Sequence, residues 1–155
     1  MDRHRDVVLW KLAGLDDADL RRPLLPSGNT LLGIVKHLAI WDYIWICRTF
    51  GVATEPLPTD GDTDVSTMRV EPGESTADVV AFYERACAAV NQVIDEMSLD
   101  ETRTTMSGRT LSLRWVLLHM LEDTIRHAGH MDIMRELIDG ATGDHPYADG
   151  ERWPS

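Results

Sequence analysis

The chain has 155 residues, with 26 acidic against 15 basic side chains and a formal net charge of −11. That length suits a single domain, 1–155, with its own core, while the acidic balance argues against nucleic acid and anionic membranes, which need clustered Lys and Arg. Cys47 and Cys87 lie in apolar patterns without a CxxC spacing, and no run reaches the ~18 apolar residues of a membrane span, so free thiols in a reducing, cytoplasmic compartment are expected.

The opening stretch MDRHRDVVLWKLAGL is charged throughout and reads as no secretory signal. It predicts a first helix from about Asp2 to Ala13, with Val7, Val8 and Leu12 on the apolar side and Gly14 as its stop. The segment LDDADLRRPLLPSG, with Pro23, Pro26 and Gly28, reads as a connector with at most one helical turn. Asn29 or Thr30 can cap a second helix running to about Arg48, with Gly33, Ile34, His37, Trp41 and Ile44 along one face and Gly51 at its end. From about Val52 to Glu74 the chain is acidic and rich in Pro and Gly, a long loop of the kind that serves as a lid or binding segment.

Ser75 and Asp78 resemble a capping box for a third helix, whose stripe is Val79, Tyr83, Ala86, Val90, Val93 and Met97. Ser107-Gly108 could turn a short hairpin. The last helix is expected from about Leu113 to Asp139, stopping at Gly140, and residues 141–155 form an irregular tail. The whole reads as an all-α antiparallel four-helix bundle over about 1–140, with the long loop between its second and third helices. A second apolar stripe on the last helix, Leu117, Leu118, Leu121, Ile125 and Ala128, predicts a homodimer seam or packing against the first helix.

The chemistry sits on the other face of that last helix. At about 100° per residue, Val116, His119, Met120, Asp123, His127, His130, Met134 and Leu137 share one side. Imidazoles and a carboxylate on a core stripe are costly to bury unless something pairs them, and a metal ion does so with its standard ligands. Asp123 and His127, four apart, stack on adjacent turns. His37, on the second helix's own core stripe, is the candidate third ligand. Taken singly, His37 reads as a packing histidine and Asp123 as a salt-bridge partner of Arg126 or Arg103. Trp41 and Trp45 read first as core.

The segments LLGIVKHLAIWDYIW and LRWVLLHMLEDTIRHAGHMDIMRELIDGATG, with LAGLDDADLRRPLLPSGNTLLG and RVEPGEST, resemble the DinB-like four-helix superfamily, in its mycothiol-associated branch of small actinobacterial proteins. The resemblance covers nearly the whole chain. It implies a divalent metal held by a histidine of the second helix and two residues four apart on the last, positions that match His37, Asp123 and His127. The mycothiol-dependent branch has Glu at the middle position; Asp123 is one methylene shorter. His119 is then a substitute ligand, and His130, standing for a common glutamine, a proton carrier, a supporting residue or a fourth ligand.

An open site of this type suits zinc first, with nickel, iron or manganese as alternatives. The resemblance implies mycothiol as co-substrate, its thiol activated to attack small electrophiles in a detoxifying S-transfer, with His130 or His119 taking the thiol proton. Trp41, Trp45 and Trp153 would wall the electrophile, and Arg69 and the acidic loop would meet the sugar-rich thiol. The alternatives are a non-catalytic metal-binding stress or scaffold protein, a thiol-dependent isomerase and a metal-dependent hydrolase.

Overall fold

The computed structural model describes residues 1–57, 67–105 and 107–143. It is mostly helical: α1 (Asp2–Trp10), α2 (Asp17–Leu20), α3 (Leu31–Asp42), a π-helical segment (Tyr43–Arg48), α4 (Thr76–Glu96), strands β1 (Thr102–Thr104) and β2 (Thr110–Ser112), and α5 (Leu113–Asp139). The all-α expectation is thus corrected by a small antiparallel hairpin, in which Arg103 pairs with Leu111. Its turn is where Ser107-Gly108 suggested, and Gly108 has a φ of +82°, open to glycine at little cost.

The termini of the helices follow their side chains. Thr30 Oγ1, rather than Asn29, accepts the Gly33 N–H at the start of α3. Ser75 and Asp78 form the reciprocal capping box of α4. Gly140, in the left-handed conformation, closes α5 after Asp139. α1 is shorter than expected, giving way to turns from Lys11 to Gly14. The helix after Thr30 also changes character: from Tyr43 it is π-helical, a geometry that recurs at functional sites.

One helix organises the interior. LLGIVKHLAI is apolar nearly all round, and every residue from Leu31 to Ile40 is buried. The single stripe expected for this helix underestimates it, because a helix surrounded by others buries all its faces. α3 packs most extensively on α4 and also on α5, while α1 packs on α5. α4 presents Val79, Tyr83, Ala86, Val90 and Val93, all buried, each valine contributing roughly 1.5 kcal/mol or more. α5 presents Val116, Met120, Thr124, His127, Met131 and Met134. Leu137, expected on that face, is instead 56% exposed, since the stripe drifts around the helix over six turns.

The opposite stripe of α5 divides. Ala128 is buried, whereas Leu118 and Ile125 are exposed. The end of α1 is fastened to α5 by Arg135, whose guanidinium donates to the carbonyls of Lys11 (3.1 Å) and Ala13 (2.7 Å), and by the buried Lys11 ammonium against Asp132 (2.5 Å).

Gly33 marks where the chain before α4 crosses α3. A Cβ built there would lie 2.1 Å from the Met68 carbonyl oxygen. Only a glycine lets residues 67–70 lie this close, and Lys36 holds them from below, donating to the Arg69 carbonyl (2.9 Å) and to Glu74 (2.7 Å). Residues 58–66 of the long loop and the tail from 144, including Trp153, fall outside the described residues.

Candidate metal centre

α3 and α5 each turn their polar core residues towards the other. His37, Asp123 and His127 each offer a ligand atom, and these atoms all lie within 4.8 Å of one another. His127 Nε2 is 3.5 Å from Asp123 Oδ1, and the rings of His37 and His127 meet edge to face at 4.8 Å. Zinc–nitrogen and zinc–oxygen bonds of about 2.0–2.2 Å put neighbouring ligands roughly 3–4 Å apart. The Asp123–His127 pair already has that spacing, so the donor set fits a divalent ion.

The helical arithmetic explains the convergence. Four residues advance a helix by little more than one turn, so Asp123 and His127 project from one side of α5. His37 is carried by the most buried helix of the fold. Its Nδ1 is 2.7 Å from Thr67 Oγ1 and also faces the Trp41 indole nitrogen at 3.1 Å. Thr67, from the long loop, is itself buried. No periodicity marks it in the sequence, and nothing there separates it from its acidic, proline-rich surroundings.

A pocket of about 280 Å³ opens at the three residues. Trp41, Trp45 and His119 line it, with Met68 and Met120. Trp41 and Trp45 are half-buried on this wall instead of closed into the core. His119 is stacked on Trp115 at 5.1 Å and meets Trp45 edge to face at 4.9 Å. Arg109 lies over the outer face of Trp115 at 5.4 Å. His119 is thereby held at the rim, outside the three-residue cluster. His130 is one turn beyond His127, ring centroids 5.8 Å apart, and its buried Nδ1 has no hydrogen-bond partner among the described residues.

Arg69 is exposed and lines a second pocket of about 330 Å³ with Arg21, Asn29 and Thr30; Met68 borders both pockets. Among the described residues, Asp123 is paired with His127; Arg103 pairs with Glu101. Cys47 and Cys87 are free thiols, pushed up by burial to about 12 and about 11, so they stay protonated at neutral pH and supply no nucleophile.

A buried carboxyl lies on the same helix as His37. Asp42, on α3, is pushed up to about 6, first by burial; Arg5 opposes the shift and Asp123 adds to it. The Arg5 guanidinium is 3.5 Å from Asp42, pairs with Asp2 at 3.2 Å and donates to Asn91 Oδ1 at 2.7 Å, and Cys47, Cys87 and Tyr83 are further titratable neighbours. A carboxyl whose folded pKa exceeds its unfolded one near 3.8 binds its proton more tightly in the fold. Its contribution therefore stabilises the fold as pH falls from 7 through 6, and is complete near pH 4. Urea denaturation of the metal-free protein should show wild type gaining on the order of 1 kcal/mol from pH 7 to pH 5 relative to Asp42→Asn. An unchanged difference between the two proteins would contradict the assignment.

Among the described residues, no helix is long and apolar enough to cross a membrane. No curated protein and no solved structure matches the chain. A family model described as Mycothiol-S-transferase matches residues 1–140.

Proposed function

The chain belongs to the mycothiol-S-transferase family, and from that premise we propose that it is a divalent-metal-dependent transferase joining the thiol of mycothiol to small electrophiles. The observation that carries this reading is the meeting of His37, Asp123 and His127 at the floor of an aromatic-walled pocket. In this reading these three residues hold the ion, zinc before nickel, iron or manganese. A bound divalent ion supplies acidification of a thiol, so that a thiolate nucleophile exists near neutral pH.

The remaining groups bind, orient and move a proton. Trp41 and Trp45 offer flat apolar surface to the electrophile and keep water from its reacting carbon. His119, whose ring is held by Trp45 and Trp115 at the pocket rim, takes the thiol proton and passes it to solvent. His130 stands behind His127 and supports that ring rather than reaching the pocket. Arg69, with Arg21, Asn29 and Thr30, receives the hydroxyl-rich part of the thiol in the pocket beyond Met68. The fold is read as the four-helix bundle of α1, α3, α4 and α5. Leu118 and Ile125 of the second stripe on α5, both exposed, are read as part of its homodimer seam. The free cysteines accord with a cytoplasmic setting.

The direct test is conjugation of mycothiol to monochlorobimane by zinc-loaded protein. Product formation should require both thiol and protein, stop on chelation and resume on reloading. A rate unaffected by the chelator, or no rate above the uncatalysed one, would sink the proposal.

A further inference from the structure

Of the two contacts at His37 Nδ1, that of Trp41 demands a nitrogen without its proton, while that of Thr67 can serve either form of the ring. Resting on the metal reading above, we propose that Trp41 and Thr67 are positioning residues that set the tautomer of His37. The Trp41 indole stabilises the tautomer that cannot take an ion, and the Thr67 hydroxyl stabilises the one that can.

A neutral imidazole carries one ring proton, and the nitrogen without it accepts. Trp41 Nε1 stands 3.1 Å from His37 Nδ1, and an indole N–H only donates. That contact requires a bare Nδ1 and so leaves the ring proton on Nε2. With Nδ1 engaged by both neighbours, the proposal gives Nε2 to the ion, and a ligating nitrogen needs its lone pair free. The ring proton must then sit on Nδ1. Thr67 Oγ1, 2.7 Å away, can accept it, because a hydroxyl both donates and accepts. The Trp41 N–H cannot, and two N–H groups at 3.1 Å repel each other.

Ion uptake therefore exchanges one hydrogen bond for the other. Nε2 gives a proton to solvent and Nδ1 takes one up, so no net proton is gained or lost by the ring. The indole must turn away from Nδ1. It has somewhere to go: Trp41 is half-buried, its ring centroid is 6.0 Å from that of His37, and it lines the pocket beside Trp45. Loading the site thus also moves one wall of the electrophile pocket.

The test is a zinc titration of the chelator-stripped full-length protein, following affinity by competition with a chromophoric chelator and tryptophan emission in the same samples. Zinc has no redox chemistry or partly filled d shell, so an emission change reports the indole surroundings. Wild type should change its emission on binding. Trp41→Phe should lose that change and bind zinc more tightly, by roughly 2- to 10-fold, the worth of one competing hydrogen bond. Thr67→Val should weaken binding by roughly 10- to 100-fold, as loss of a partner to a ligating histidine does, and Thr67→Ser should restore it.

If wild type binds zinc but Trp41→Phe binds no tighter, or Thr67→Val binds equally well, the tautomer switch is wrong and the metal reading stands. If wild type takes up no zinc, both fall. Should Trp41→Phe fail to fold, the contrast between Thr67→Val and Thr67→Ser decides alone.

Discussion

Truncation of His127 to alanine is expected to weaken zinc binding by more than the roughly 10- to 100-fold typical of outer partners of a metal ligand, leaving the purified protein close to metal-free. In the proposed site the residue offers one of three ligand atoms, from the helix that also carries Asp123, and its ring meets that of His37 edge to face. Its removal leaves a carboxylate and one imidazole, too few to compete with chelators or water. Conjugation of mycothiol should fall with the metal. His119→Gln provides the contrast. His119 lies outside the cluster, so that variant should keep its zinc while its rate drops by roughly 10²- to 10⁴-fold, the usual worth of a general base. Metal content by elemental analysis, read beside the rate, separates the two roles. A His127→Ala protein that retains wild-type zinc would place the ion elsewhere.

Gly33→Ala is expected to destabilise the fold, although alanine in a helix interior ordinarily stabilises relative to glycine by about 0.5–1 kcal/mol. The added Cβ would meet the Met68 carbonyl at 2.1 Å and Thr30 Oγ1 at 3.0 Å. Backbone cannot rotate aside as a side chain does, so residues 67–70 must withdraw. Overpacking of this kind costs about 1–3 kcal/mol, leaving a net loss of roughly 1–2 kcal/mol in urea denaturation. The same withdrawal pulls Thr67 from His37 and Met68 from the pocket wall, so zinc affinity should fall as well. A Gly33→Ala protein more stable than wild type would show that the crossing is looser than described.

These two variants touch the parts of the site that were legible in the sequence to different degrees. The candidate donors on α5 are readable directly, because a four-residue spacing on one helix fixes which side chains share a face. The caps at Thr30, Ser75 and Gly140 were readable for the same reason: each acts on backbone within a few residues of itself. His37 was a candidate by periodicity, but its partnership with α5 depends on how two helices distant in sequence pack. Nothing local specifies that packing.

The long-range contacts were not legible at all. Thr67 sits in a segment without period and reaches His37 across 30 residues, and the closeness of Met68 to Gly33 is visible only once the two backbones are placed. The stack of Trp45, His119 and Trp115 likewise joins the π-helical segment to α5. It holds the His119 ring between two indoles, outside the cluster of His37, Asp123 and His127. The exposure of Leu137 shows the limit of a helical wheel over a 27-residue helix, where a stripe drifts away from a fixed face.

The central claim is that one ion joins α3 to α5 beneath the pocket. Anomalous diffraction from zinc-soaked crystals, recorded at the zinc absorption edge, tests it most directly. The account predicts a single strong peak bounded by His37, Asp123 and His127, with a coordination position open to the pocket. No peak there, or a peak held by His119 or His130 in place of Asp123, would contradict it.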